Sequence, residues 1–205
     1  MLSKTIQKFL DTNKIKYEVL EHKTVYTAFD KAATLRARPS EVGKTVVVSL
    51  DNKDYALGLI PANKNLDKKK LLKIINNSPS SPSYNWQGGR RKNEVFSSTE
   101  RTNYIGKYFK RGVGGVKNTR LRYSRIEFAS EKWMKNNFKG INLGATPPFG
   151  TLYKLPFFID NSLTKSAKII VNGGAYETSI KLSPTSLMKL NSGSLIKGSF
   201  SMAKK

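Results

Sequence analysis

Residues 144–150 read Gly144-Ala-Thr-Pro-Pro-Phe-Gly150, and the run Leu155-Pro-Phe-Phe-Ile-Asp160 follows closely. Two prolines and two glycines in seven residues exclude a helix or a central strand here. Proline fixes φ and removes an amide donor, while glycine admits backbone angles that other residues resist. The expected product is a stiff, shaped loop with exposed backbone amides. Such a loop can line a small pocket or bind an oxyanion, and it can equally be an ordinary turn between two elements. What stands around it decides between these.

Downstream of the loop, residues 151–160 contain a strand, which Pro156 places at an edge or a bend. Residues 169–171, Asn172-Gly-Gly174 and 175–182 read as a hairpin or a tight strand connection. Ser183-Pro184 is a cap and first-turn pair for a helix over 185–190. Upstream, Leu2, Ile6, Phe9 and Leu10 share one helical face. Residues 17–20 suit a strand. Thr27 with Asp30 has the pattern of an N-cap and an acid in the first turn. Ala28, Ala32, Ala33 and Leu35 carry that helix towards Pro39. Thr45-Val-Val-Val-Ser-Leu50 is β-branched and reads as a buried strand, returning through 51–54 into a second strand over 55–60. Leu66, Leu71, Leu72 and Ile75 have helical spacing. Residues 121–124 suggest a short strand, and Ser130 caps a helix that Gly140 ends. Short helices alternate irregularly with more numerous strands. The expected fold is mixed α/β (α+β), one domain over 1–190 with a mixed or barrel-like central sheet flanked by short helices.

The chain has 205 residues, enough for a sizeable core, and no cysteine. Thiol catalysis, disulfides and thiolate metal sites are therefore excluded. His22 is the only histidine, so a multi-histidine zinc centre is excluded too. No metal and no cofactor are expected. No apolar run approaches a membrane span, and the N-terminal residues lack a signal-peptide core, so the expected location is the cytoplasm. Lys and Arg number 37 against 14 Asp and Glu, a formal charge of +23. An excess of that size repels itself unless an anion offsets it, which points to nucleic acid as partner.

Residues 77–118 break the pattern. They are poor in aliphatics and rich in Ser, Gly, Asn and basic groups. Tyr84, Trp86, Phe96, Tyr104, Tyr108 and Phe109 are interleaved among them. Long irregular segments in small domains are usually functional or disordered. This one reads as a basic insertion, with Arg90, Arg91, Lys92, Lys110 and Arg111 as candidate nucleic-acid contacts or as a solvated loop. Residues 191–205 read as a mobile Ser/Gly/Lys tail.

Several motifs in one order now converge. They are Tyr17-Glu-Val-Leu-Glu-His22, Thr27 opening an alanine-rich helix, Gly43-Lys44-Thr45 before the valine strand, the Gly144–Gly150 loop, Leu155–Asp160, and Asn172-Gly-Gly174. In this order they resemble the YbaK/aminoacyl-tRNA synthetase-associated domain family. That family holds free-standing trans-editing deacylases and the editing domain of bacterial prolyl-tRNA synthetase. The resemblance covers roughly 1–75 and 119–190. It implies hydrolysis of the ester between a wrong amino acid and the tRNA terminal adenosine, with misacylated tRNA as substrate and a synthetase as a further partner. Lys44, Gly144 and Gly150 match its catalytic positions. Pro147, Pro148, Phe149, Asp160, Gly173 and Gly174 match its pocket, and His22 and Thr27 align loosely with it.

Each residue also has a plain structural reading. Lys44 is otherwise a solvated lysine at a strand start, and His22 a packed or surface residue. Asp160 is otherwise a turn cap, and Phe149 an anchor for the loop. An aminoacyl ester is already activated, so oriented water and preorganised donors suffice and no side-chain nucleophile is needed. The alternative function is a non-catalytic RNA-binding module on the same fold.

Overall fold

Three consecutive valines, Val46 to Val48, stand at the centre of β2 (Gly43–Leu50), where β-branched side chains pack well on a pleated surface. The chain turns back through residues 51–53 into β3 (Asp54–Pro61), and the two strands pair antiparallel over their whole length. The computed structural model describes residues 2–77, 123–193 and 195–204. Arg90, Arg91, Lys92, Lys110 and Arg111 lie outside the described residues, as does nearly all of the basic insertion.

Around this hairpin a five-stranded mixed sheet forms in the order β5 (Ile126–Phe128), β2, β3, β6 (Phe157–Asp160), β9 (Leu195–Gly198). β6 runs parallel to both β3 and β9. A second sheet of three antiparallel strands has the order β1 (Tyr17–Glu21), β8 (Thr178–Leu182), β7 (Ile169–Ala175). β4 (Lys64–Leu66) and β10 (Ser201–Ala203) make a separate antiparallel pair. The helices are α1 (Lys4–Thr12), α2 (Ala28–Thr34), α3 (Lys68–Asn77), α4 (Glu131–Asn137), α5 (Gly150–Tyr153) and α6 (Pro184–Leu190). The architecture is mixed α/β, with no closed barrel. No helix among the described residues is long and apolar enough to cross a membrane.

Strand alternation sorts the side chains into layers. Val47, Leu57, Leu59, Phe157 and Ile159 from the large sheet meet Ile169, Val171, Ile180 and Leu182 from the small one. Ile6 and Leu10 of α1 and Leu187 and Leu190 of α6 join that core. Val48, Leu50, Ile60 and Phe158 on the opposite face pack under Leu71 and Ile75 of α3. A third, small cluster joins Ala32 of α2 to Val42, Ala62 and Ile170. The predicted caps form: the Thr27, Ser130 and Ser183 side chains accept from the amides of Asp30, Trp133 and Ser186.

Four local readings change. Pro156 precedes β6 and its carbonyl accepts from Leu57. The proline therefore costs no ladder donor, and β6 lies inside the sheet rather than at an edge. Asn172, Gly173 and Gly174 belong to β7, with a register shift between Asn172 and Ala175, and the reversal comes at 176–177. A bulge accommodates the glycines where a turn was expected. Residues 123–125 are not a strand; β5 starts at Ile126. Tyr123 is instead bound across to α3, its amide donating to Asn76 Oδ1 at 2.9 Å and its carbonyl accepting from Asn76 Nδ2 at 2.9 Å. Finally, residues 195–203, expected within a mobile tail, form β9 and β10. Phe200 between them is fully buried, and that apolar anchor outweighs the polar composition.

Candidate functional site

The site grows from Asn172. Val171 points into the main core, so by alternation Asn172 points to the outer face of the small sheet. Its Nδ2 donates to the carbonyls of Gly144 (3.2 Å) and Thr146 (3.3 Å). With both amide protons committed, Asn172 Oδ1 must accept. It does so from Lys31 Nζ of α2 at 2.5 Å. Lys31 is 4% exposed. Burial holds its ammonium down at about 8 against an ordinary 10.5. An ammonium has three donors, so two of them remain beyond the bond to Asn172.

The polar line continues across the sheet. Ser179 faces Asn172 in the β7–β8 register. Its hydroxyl lies 2.9 Å from His22 Nε2, and His22 Nδ1 lies 2.9 Å from the Lys23 carbonyl. A carbonyl only accepts, so Nδ1 carries the proton and Nε2 accepts from the Ser179 hydroxyl in the neutral ring. Thr27 caps α2, its hydroxyl donating to Asp30 Oδ2 at 2.6 Å. The cap sets the start of the helix that carries Lys31 inward.

The proline loop is held from both sides. Asn172 binds its first half. Asn191, fully buried, binds the second: Nδ2 donates to the Pro148 carbonyl (3.1 Å), and Oδ1 accepts from the Thr151 amide (3.4 Å). Gly174 has φ +100, and a Cβ there would lie 2.9 Å from Ile141 Cδ1 and 3.9 Å from Pro147 Cγ. Gly150 is walled in: a Cβ would meet the Leu155 carbonyl oxygen at 2.5 Å. Gly173 is similarly crowded by Thr178, while Gly144, at φ +84, has open space. Phe149 is fully buried against Phe9, ring centroids 5.7 Å apart, and so anchors the loop in the core. The sequence suggested that loop amides would face the site. The structure turns the Gly144 and Thr146 carbonyls towards Asn172, while Pro147 and Pro148 have no amide to offer.

Two expected residues have other partners. Gly43 faces the core beside Leu59 and Val171, so Lys44 points away from that core. Its Nζ donates to the Lys64 carbonyl at 3.1 Å, not to the loop. Burial, and then the charge of Lys204, lower its pKa. Asp160 Oδ1 accepts from the Ser162 amide and hydroxyl, and Oδ2 from the amides of Phe200 and Ser201. It joins β6 to β10 and does not touch Lys31 or the loop. A hollow beside Thr146, lined also by Met134, Phe138, Ile141 and Leu143, has room for about one water.

Lys31 was missed in the sequence, although its signal was present. Ala28, Lys31, Ala32 and Leu35 follow the i, i+3, i+4, i+7 spacing of a buried helical face, and a lysine within such a face needs a partner.

Comparison with known proteins agrees with this fold. Residues 116–190 match the model of the aminoacyl-tRNA editing domain. No curated protein matches the sequence. Among solved structures, a hypothetical protein aligns with TM-score 0.65 at 15% identity, over 97% of this chain and 100% of the other. A proposed trans-editing enzyme for prolyl tRNA synthetase aligns with TM-score 0.63 at 17% identity, over 99% of this chain and 100% of the other. The matched residues 116–190 hold the Gly144–Gly150 loop, Asp160 and Asn172, so this part of the chain is similar to the aminoacyl-tRNA editing domain.

Proposed function

We propose that the chain hydrolyses the ester of misacylated tRNA in trans, at the face where Lys31, Asn172 and the Gly144–Thr146 loop meet. The observation that carries this reading is the buried Lys31 ammonium, fixed by Asn172 to the proline loop, where Asn172 and the loop lie within the residues similar to the editing domain. Water attacks the ester carbonyl carbon, and negative charge develops on its oxygen. When the intermediate collapses, the carbonyl–ribose C–O bond breaks, the ribose hydroxyl takes a proton and the free amino acid leaves. Lys31 supplies a cationic donor already held in place and shielded from water, where such a donor is worth about 10²–10³ in rate. The tie to Asn172 means that the donor does not reorganise during the reaction. Lys44, beside Lys204, serves a phosphate or the ribose as a compact point charge.

A panel of tRNAs mischarged with different amino acids tests this. Wild-type protein should release one or a few amino acids. Lys31→Met should lose about 100-fold or more in that rate while still binding uncharged tRNA. Full turnover in Lys31→Met would remove the assignment. Binding with no turnover of any charged tRNA by wild type would leave a non-catalytic RNA-binding module.

A further inference from the structure

Five large apolar side chains are more than a third exposed among the described residues, and two of them, Tyr26 and Phe29, stand at the start of α2. Tyr26 is 74% exposed and packs edge-on against Tyr176, ring centroids 5.0 Å apart. Tyr176 in turn donates to the Leu143 carbonyl beside the proline loop. Phe29 is 51% exposed, and Lys204 Nζ stands 5.1 Å from its ring centroid. Lys204 is also close enough to Lys44 for their charges to interact, and Lys44 reaches the carbonyl of Lys64. Ala203 pairs with Lys64 in the β4–β10 ladder, which sets Lys204 at this place. Two carboxylates stand nearby, Asp30 accepting from the Thr27 hydroxyl and Glu177 from the Thr24 hydroxyl. Two exposed aromatic rings thus border Lys204 and Lys44, neither of which is in an ion pair among the described residues.

We propose that Tyr26, Phe29 and Lys204 form a docking rim for an unpaired strand of RNA, with bases against the rings and phosphates on Lys204 and Lys44. The chemistry selects this partner. Aromatic rings stack any base, and clustered ammonium groups neutralise phosphates. Two separated rings give far too little apolar area for a membrane surface. The rim shares α2 with Lys31, so a strand lying on it passes beside that face. The inference rests on the editing reading for its biological use, but its test does not need turnover.

The test is equilibrium binding of uncharged tRNA to the full chain over a salt series, by fluorescence anisotropy. The same tRNA shortened by its unpaired 3′ nucleotides is the second probe. Phe29→Ala and Tyr26→Ala should each weaken binding of intact tRNA about tenfold. Lys204→Ala should lower the salt slope by about 0.7, and Lys204→Glu should lower affinity further. Lys8→Ala on α1 is the control and should change little. Shortened tRNA should bind wild type weakly and be indifferent to the Phe29 and Tyr26 substitutions. All these side chains are exposed, so the variants keep their cores. If Phe29→Ala, Tyr26→Ala and Lys204→Glu bind intact tRNA as wild type does, the rim is refuted. So is it if shortened and intact tRNA lose affinity equally. Absence of deacylation with the binding pattern intact would refute the editing reading alone.

Discussion

The buried ammonium of Lys31 makes a prediction about stability that does not depend on function. Its proton affinity falls from an ordinary 10.5 to about 8 in the folded chain, through burial. Below pH 8 both states are protonated and the folded state bears the whole cost. Between about 8 and 10.5 the unfolded chain binds more protons than the folded one, so stability rises with pH. At about 1.4 kcal/mol per pH unit the ceiling is roughly 3 kcal/mol, and about 2–3 kcal/mol of it is relieved between pH 7 and pH 10. Lys31→Met keeps the length and apolar stem, removes this dependence and leaves Asn172 Oδ1 unpaired, a pH-independent loss of about 1–3 kcal/mol. The two effects nearly cancel at pH 7. At pH 10 wild type should be clearly the more stable. Urea unfolding of both proteins at pH 7, 8, 9 and 10 gives the difference curve, in which the titrations of all other groups cancel. A curve flat to within about 0.5 kcal/mol would show that Lys31 is not buried as a cation, and the proposed donor would lose its basis.

Other substitutions probe the frame around the site. Gly150→Ala forces a methyl against the Leu155 carbonyl and Phe157, and should cost about 1–3 kcal/mol in thermal unfolding. Tyr153 buries its hydroxyl with no partner among the described residues, so Tyr153→Phe should raise stability by about 1 kcal/mol, seen as a higher denaturation midpoint. For Asp160, burial alone pushes the carboxyl up, but hydrogen bonds from Ser162, Phe200 and Ser201 outweigh it and hold the group below 3.8. Asp160→Asn should therefore cost about 1–3 kcal/mol near neutrality, and that deficit should shrink as pH falls below 4. Hydrogen exchange in the same variant should speed up first at Phe200 and Ser201.

What the sequence made legible followed from local chemistry. The valine hairpin, the three capped helices and the irregular backbone of residues 144–149 each depend on a few adjacent residues. The family resemblance needed only the order of short motifs. The errors came where distant contacts override local composition. Nothing within 191–205 reveals that Phe200 fits beneath α3, or that Asp160 will bind the two amides at 200 and 201. The glycines after Asn172 look like a turn until Thr178, which crowds Gly173, shows that they form a bulge. At the site, the tie between Lys31 and Asn172 spans 141 positions. Spacing could have shown that Lys31 was misplaced on an apolar face, but not which group it would find there.

The mutual hydrogen bonds between Asn76 and Tyr123 act as a clasp. They bring together two points 47 positions apart in the chain, so whatever length lies between starts and returns at the same place. Closing such a loop costs only about 0.6 kcal/mol for each doubling of its length. The clasp therefore tolerates a change in the length between its two ends at little entropic cost. A protein in which a short linker replaces residues 79–121, or in which new termini are opened there, should fold with Lys31, Asn172 and the proline loop unchanged. The clasp makes the spacing of α3 and β5 independent of the number of residues between them.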